Sequence, residues 1–338
     1  MKAVGLTRYL PIENPEALLD VTLDAPTATG RDLLVEVRAI AVNPVDFKVR
    51  SPKDQVEAAP RVLGWDAAGV VKAVGDQVTL FKPGDEVYYA GSIARPGCNA
   101  ELHLVDERIV GRKPKTIGFA EAAALPLTTL TAWEVLFDRL GISRAGAHRG
   151  ASVLVIGGAG GVGSIAIQLA RKLAGLRVIA TASRPESERW VRELGADDVV
   201  DHTRPLADQL RALGVPEVDY IVCLTTPDPY IDAFGPIIKP QGKVGLIVEA
   251  KGPLPIGSLM RKSATIAWEL MFTRSLFQTP DMAEQHAILD ATAELVERGE
   301  LKTTLGQHFG TINAANLRRA HQALETGRTT GKIVLEGF

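Results

Sequence analysis

A glycine-rich turn that joins an apolar strand to a helix constrains this chain more than any other feature. Residues 153–156 (VLVI) are continuously apolar, and the turn after them has the GxGxxG pattern Gly158-Ala159-Gly160-Gly161-Val162-Gly163. In such a turn Gly158 permits the tight reversal, Gly160 lets the backbone approach a pyrophosphate, and Gly163 lets the helix pack on the strand. The helix N-terminus offers free N–H groups to phosphates. A purely structural turn is the alternative, but the strand–turn–helix context predicts a dinucleotide-binding unit.

The end of the next strand predicts which dinucleotide binds. An NAD site usually has Asp or Glu about 20 residues after the fingerprint, where the carboxylate binds the ribose 2′-OH. That position falls here on Ser183 and Arg184, and no carboxylate occurs before Glu186. A hydroxyl and a guanidinium bind a 2′-phosphate, which a carboxylate would repel. We therefore expect NADPH as the cofactor; the alternative is that Arg184 is an ordinary surface charge.

The chain changes character near residue 120. Before it, short strands such as residues 33–42 and 86–89 alternate with Gly, Pro and Asp turns, which indicates an antiparallel barrel or sandwich. After it, a helix over residues 128–140 is expected, and strands and helices then alternate, as in a doubly wound parallel sheet. The expected parallel strands are 153–156, 177–181, 199–200, 218–224 and 243–248. The predicted class is α/β, with a β-rich domain beside the parallel sheet.

Composition excludes several kinds of partner. The chain has 338 residues, enough for about two domains, and its net charge is -2. This balance lacks the basic surface of a nucleic-acid or membrane-surface binder. Residues 151–170 are uncharged and long enough to span a membrane, but their glycines would interrupt a helix. The N-terminus MKAVGLTRYL does not have the pattern of a signal peptide, so we expect a cytoplasmic protein.

Several further motifs resemble the medium-chain dehydrogenase/reductase superfamily. The segment GWDAAGVVKAVG at residues 64–75 is similar to its GHExxGxVxxVG signature. The segments around VNPVDFK at 42–48, TTLTAW at 128–133 and GRTTGKIVL at 327–335 resemble its quinone oxidoreductase branch. The resemblance implies a GroES-like substrate domain (1–127 and 274–338), a Rossmann NADPH-binding domain (128–273) and a homodimer.

The residues at the zinc-ligand positions of this superfamily differ here. By the resemblance, Asn43 stands where metal-containing members have a Cys ligand, and Trp65 stands where they have a His. Neither side chain suits zinc, and Cys98 and Cys223 are too few for a four-Cys structural site. We therefore expect no metal. Without a Lewis acid, alcohol oxidation is disfavoured, and hydride transfer from NADPH to an electron-poor acceptor is what the cofactor can do alone.

The expected activity is zinc-independent, NADPH-dependent quinone reduction. The alternatives are reduction of α,β-unsaturated carbonyls such as alkenals or enones, and a non-catalytic NADPH-binding role. The resemblance implies that Asn43 and Asp46 lie near the nicotinamide, and Trp65 is expected to line the acceptor pocket and stack on a flat substrate. These three are the expected catalytic residues. A loop-capping role for Asn43 and a core position for Trp65 are the structural alternatives. No side chain stands out in the sequence as a proton donor.

Further cofactor contacts are expected outside the glycine-rich turn. The resemblance implies that Thr129 contacts the cofactor and that His202 lies against the 2′-phosphate; a helix cap and a surface histidine are the alternatives. Leu224, Thr225 and Val248 end parallel strands, where ligands of open α/β sheets bind. Arg328 and residues 268–272 (WELMF) are expected to line the same cleft. The remaining expected contacts are Gly158, Ala159, Gly160, Gly161, Val162, Gly163, Ser183 and Arg184.

Overall fold

The computed structural model describes all 338 residues and folds them into two compact units. The first unit comprises Met1–Leu127 and Phe272–Phe338, and the second comprises Thr128–Met271. No helix is both long enough and apolar enough to cross a membrane.

The β-strands follow one another through both units. In chain order they are β1 Lys2–Tyr9, β2 Leu19–Thr22, β3 Asp32–Val42, β4 Lys53–Val62, β5 Ala67–Val74, β6 Glu86–Tyr89, β7 Leu102–Asp106, β8 Val110–Arg112, β9 Ser152–Ile156, β10 Arg177–Thr181, β11 Asp198–Val200, β12 Val218–Cys223, β13 Ile238–Leu246, β14 Thr265–Trp268, β15 Leu305–His308 and β16 Lys332–Glu336.

The α-helices are mostly short. In chain order they are α1 Pro44–Arg50, α2 Phe119–Ala123, α3 Pro126–Trp133, α4 Gly161–Lys172, α5 Pro185–Glu193, α6 Leu206–Ala212, α7 Ile231–Ile237, α8 Gly257–Met260, α9 Thr273–Phe277, α10 Glu284–Glu297 and α11 Ala314–Glu325. A 3₁₀ turn covers Glu107–Ile109, and a π-helical turn covers Glu134–Arg139.

The second unit is built on a parallel sheet with strand order β11-β10-β9-β12-β13-β14. This is the doubly wound order 3-2-1-4-5-6. All strands are parallel, and the point at which the order of strand addition reverses lies between β9 and β12. All five residues of β9 are buried, as a strand covered by helices on both faces requires. The predicted α/β class with a doubly wound parallel sheet is therefore confirmed.

The first unit contains two sheets. A three-stranded antiparallel sheet has the order β2-β1-β4, and a larger sheet has the order β15-β16-β3-β5-β6-β8, with β7 also paired to β3. In the larger sheet Ile333 pairs with Val42, and Ala67 pairs with Ile40. This register places the beginnings of β16 and β5 beside the end of β3. Residues separated by hundreds of positions in sequence therefore meet at one point.

The structure contains several elements that the sequence patterns did not predict, among them β4, β15, α7 and α8. The sixth parallel strand, β14, was also missed, because its four residues are too few to give a clear strand pattern. The helix α6 was also missed. The helix expected over 128–140 begins earlier, at Pro126, and becomes a π-helical turn after Trp133. The sequence did not indicate this turn, because an extra residue per turn leaves no mark in the apolar periodicity.

Candidate functional site

The glycine-rich turn has the geometry that a pyrophosphate-binding turn needs. Gly160 caps the N-terminus of α4 with extended backbone, so the first N–H groups of the helix have no partner within the helix. A Cβ on Gly163 would lie 2.4 Å from the Gly157 carbonyl oxygen, so only glycine fits there. A Cβ on Gly160 would meet nothing closer than 3.4 Å. Close packing therefore dictates Gly163, whereas Gly160 leaves space beside the helix terminus.

The end of β10 is tied to this turn. The Gly157 N–H donates to Thr181 Oγ1 at 3.0 Å, which fixes the turn against the last residue of β10. Ser183 beyond it is exposed, and Arg184 is half-buried as the N-cap of α5. Beyond β11, the His202 ring is partly buried, and its Nδ1 is buried without a hydrogen-bond partner. The residues expected at the adenosine ribose thus follow neighbouring strands.

The other expected contacts of this unit lie along the same sheet. Leu224, Thr225 and Val248 are partly buried and follow β12 and β13, at the carboxyl edge of the sheet. Thr129 lies in α3, is fully buried, and its Oγ1 has no hydrogen-bond partner. Ala159, Gly161 and Val162 are partly exposed. The unpartnered Thr129 hydroxyl and His202 nitrogen, with the open helix terminus, fit a bound dinucleotide.

In the first unit, Asn43 belongs to a buried polar network that the sequence did not reveal. Lys332 donates from Nζ to the Asn43 side-chain oxygen, to the Val42 carbonyl at 2.9 Å and to Asp66 Oδ2 at 2.8 Å. The Asn43 side-chain nitrogen donates to the same Asp66 oxygen at 2.8 Å. The Leu127 N–H donates to Asp66 Oδ1 at 2.8 Å. Lys332 and Asp66 thus form an ion pair that is almost completely shielded from water.

Asp46 lies one turn into α1 from Asn43 and is fully buried. Its Oδ2 accepts the Asn43 backbone N–H at 2.6 Å, and its Oδ1 has no hydrogen-bond partner. Burial raises the pKa of Asp46 to about 7, although the Asn43 N–H and the Lys332 ammonium oppose the rise. Burial also raises the pKa of Asp66, with Lys332 opposing it most strongly. Asp66 accepts hydrogen bonds from Lys332, Asn43 and Leu127, whereas the side chain of Asp46 accepts one from the Asn43 backbone.

Trp65 is part of the same unit's packing. Its side chain is buried, its Nε1 donates to the Ser92 carbonyl at 3.2 Å, and its ring meets Phe272 edge-on with centroids 6.4 Å apart. Arg328 is exposed, in the turn before β16. Asp66 and Lys332 were missed as network residues because nothing in their local sequence marks a pairing across 266 positions.

These residues do not fit a zinc ion. No group of three or more His, Cys, Asp or Glu is placed to hold a metal. The Asn43 amide is already hydrogen-bonded at both ends, and the indole of Trp65 has no lone pair for a metal. An ammonium group occupies the centre of the network, where it would repel a cation. Burial also raises the pKa of the Cys98 thiol, which keeps this thiol protonated and a poor ligand.

Known proteins resemble the chain over its whole length. The alcohol dehydrogenase GroES-like domain matches residues 29–133, and the zinc-binding dehydrogenase family matches residues 194–335. The zinc-type alcohol dehydrogenase-like protein SAS2087 of Staphylococcus aureus is 43% identical over 99% of both chains. The 2-methylene-furan-3-one reductase of Solanum lycopersicum is 33% identical over 99% of this chain and 79% of its own length.

Solved structures share the fold. A Rhizobium etli protein, described as a candidate zinc-dependent alcohol dehydrogenase, superposes with a TM-score of 0.96 at 52% identity. The match covers 100% of this chain and 98% of that one. The quinone oxidoreductase of Coxiella burnetii has a TM-score of 0.81 at 27% identity, with 100% and 99% covered.

We predict that Gly163→Ala mainly lowers the stability of the fold, whereas Gly160→Ala mainly weakens cofactor binding. Gly163→Ala should destabilise the fold by roughly 1–3 kcal/mol, because its Cβ collides with the turn backbone. Gly160→Ala should cost about 1 kcal/mol or less but weaken dinucleotide binding, because its Cβ fills the space left for phosphate. Chemical denaturation and cofactor titration measure the two effects. Equal stability losses would contradict this distinction.

We predict that Lys332→Met destabilises the protein by about 3–5 kcal/mol, because it leaves the Asp66 carboxylate buried without its cation. The double variant Lys332→Met/Asp66→Asn should regain much of this loss, since it buries no unpaired charge. A double-mutant cycle in urea measures the coupling. Strictly additive effects of the two changes would show that the pair contributes no coupling energy.

Proposed function

The chain belongs to the medium-chain dehydrogenase/reductase family, and on that premise we propose that it reduces a quinone by hydride transfer from NADPH without a metal ion. The protein is an oxidoreductase that acts on a small molecule with a nicotinamide cofactor. The single observation that carries the proposal is the Lys332–Asp66–Asn43 network, which fills with an internal ammonium the positions that resemble the family's zinc site.

The preference for NADPH is supported by the chemistry around the ribose. Ser183 and Arg184 follow β10, where an NAD site would carry a carboxylate. The His202 ring adds a buried nitrogen without a partner, suited to a phosphate oxygen. With bound NADPH, the cofactor supplies the hydride, while the glycine-rich turn, Thr129 and the ends of β12 and β13 hold it.

We propose the acceptor class because the residues at this site do not suit a metal ion that would act as a Lewis acid on the substrate. A quinone or an enone accepts hydride without metal polarisation of its carbonyl, whereas an alcohol needs its pKa lowered by a metal. We assign Asn43 a positioning role, because both ends of its amide are bound within the protein. Asp46 and Trp65 are proposed to lie nearest the acceptor, with Arg328 at the rim.

Enone reduction is the second candidate. The tomato relative, 33% identical to this chain, is named as a reductase of a furanone that carries a conjugated methylene group. The proposal of quinone reduction is supported by the similarity to the Coxiella burnetii quinone oxidoreductase, which has the same fold at 27% identity. Both acceptors have an electron-poor conjugated carbonyl, so the same site chemistry serves either one.

We also propose a homodimer. β14 is the edge strand of the parallel sheet, so one row of its N–H and C=O groups has no partner strand. Trp268 at its end and Leu270 just beyond it are half-exposed, at 50% and 52%. A second copy that pairs along this edge across a two-fold axis would cover both the backbone groups and the apolar side chains.

We predict that Arg184→Ala weakens NADPH binding selectively. A hydrogen bond to a charged group is worth about 1.5–3 kcal/mol, so NADPH affinity should fall by about 10-fold or more while NADH affinity stays unchanged. Fluorescence titration with each cofactor measures this, with Arg189→Ala on the exposed face of α5 as the matched control. Equal losses for NADH and NADPH would contradict a role at the 2′-phosphate.

The proposed function is tested by NADPH oxidation with a simple quinone and, separately, with an α,β-unsaturated ketone. We expect turnover with NADPH that exceeds turnover with NADH, and the faster acceptor identifies the substrate class. An alcohol offered with NADP⁺ is the negative control. NADPH binding without turnover of either acceptor would contradict the proposal and favour a non-catalytic role.

A further inference from the structure

Two buried glutamates in the second unit are not among the residues proposed to hold the cofactor or the acceptor. Glu134 opens the π-helical turn, Glu269 follows β14, and both side chains are 0% exposed. Arg139, at the other end of the π-helical turn, faces them both. Its Nε donates to Glu269 Oε2 at 2.7 Å, and its Nη2 lies 3.8 Å from Glu134 Oε2.

Both carboxyl groups lie against one guanidinium, at 2.7 and 3.8 Å, so two buried acids share a single cation. Without a proton the cluster would bury one surplus negative charge, which is costly in the protein interior. Burial raises the pKa of Glu269 well above its usual range, the Glu134 carboxyl raises it further, and the Arg139 guanidinium opposes both. With one proton, two carboxylates and one guanidinium, the cluster carries no net charge. This is the protonation state that costs least inside the protein.

Two strands, β13 and β14, pack against the turn that carries Glu134 and Arg139. Lys243, on β13, directs its ammonium to the Leu140 carbonyl at 2.7 Å. The charged groups that act on Glu269 are therefore Glu134 and Arg139, both on the π-helical turn.

The pair lies at the edge of the sheet where the cofactor is proposed to bind. The Glu269 N–H donates to the carbonyl of Leu246, the last residue of β13, at 2.8 Å, so Glu269 lies at the carboxyl edge of the sheet. The glycine-rich turn and the ribose residues lie on the β9–β11 half, which leaves the β12–β14 half for the nicotinamide. Arg139 is 34% exposed and links the cluster to solvent.

We propose that the Glu134–Glu269 pair is the proton reservoir of the reaction. This inference rests on the proposed function. Hydride adds from NADPH to the conjugated acceptor and leaves an anionic oxygen, which takes up the shared proton to complete the two-electron reduction. The pair then carries one extra negative charge, which Arg139 stabilises until a proton from solvent restores the neutral cluster. NADPH, acceptor and one proton give NADP⁺ and the reduced acceptor, so atoms and charge balance.

The test compares Glu269→Gln with the wild-type protein across pH. A glutamine has nearly the same shape, and its amide oxygen keeps the hydrogen bond from Arg139, but it cannot release a proton. We expect kcat to fall by about 10²-fold or more with NADPH affinity unchanged. In the wild type, kcat should fall as pH rises above neutral, because the pair loses its proton; Glu269→Gln should lack this alkaline limb.

Arg139→Gln supplies a second, independent variant. The guanidinium lowers the pKa of Glu269, so its removal should move the alkaline limb to higher pH. Asp219→Asn is the matched control, a carboxyl-to-amide change in the same unit at a pair with Lys239, and it should leave the limb in place. The infrared band of a protonated carboxyl group, present in the wild type and absent in Glu269→Gln, reports the proton without any turnover.

Wild-type kcat and an unmoved alkaline limb in both Glu269→Gln and Arg139→Gln would overturn the inference. Loss of the limb in Asp46→Asn instead would also overturn it, because the proton would then come from α1. If the wild-type protein neither binds NADPH nor reduces an acceptor, the proposed function fails, and the infrared band alone decides whether the pair holds a proton.

Discussion

The buried ion pair between Lys332 and Asp66 is the interaction on which the first unit depends. Lys332 begins β16 in the last part of the chain, Asp66 precedes β5, and both meet Asn43 at the end of β3. Two charges removed from water destabilise a protein unless they are closely paired and hydrogen-bonded. Here the ammonium has three oxygen partners, and the carboxylate receives N–H groups from Asn43 and Leu127. The pair therefore fixes the returning chain to the sheet.

The same pair is the basis of our proposal that the reaction needs no metal. A family whose members include zinc enzymes has here an internal cation, held by an amide and a carboxylate, and an indole in place of an imidazole. The positive charge is covalently part of the chain and points at Asp66 rather than at a substrate oxygen. We propose that reduction then depends on the cofactor's hydride and on a proton held by the Glu134–Glu269 pair.

Local patterns in the sequence predicted the elements whose signal is local. The apolar run of β9, the glycine pattern after it and the changed rhythm near residue 120 correctly indicated an α/β chain with a doubly wound parallel sheet. Gly163 was predicted to allow close packing, and its missing Cβ is indeed what the turn requires. The positions of Thr129 and His202 were inferred from resemblance, and the structure adds that each carries an unpartnered polar atom.

Features that depend on distant pairs were not predictable. Lys332 and Asp66 lie 266 residues apart, and Glu134 and Glu269 are buried carboxyl groups that sequence alone would place on the surface.

The measurement that tests the account most directly is elemental analysis of untagged protein, purified with zinc present and then dialysed, combined with turnover in a chelator. We predict no stoichiometric zinc and unchanged turnover. Zinc retained in proportion to the chain, with activity lost on its removal, would contradict the claim that an internal ammonium has replaced the metal.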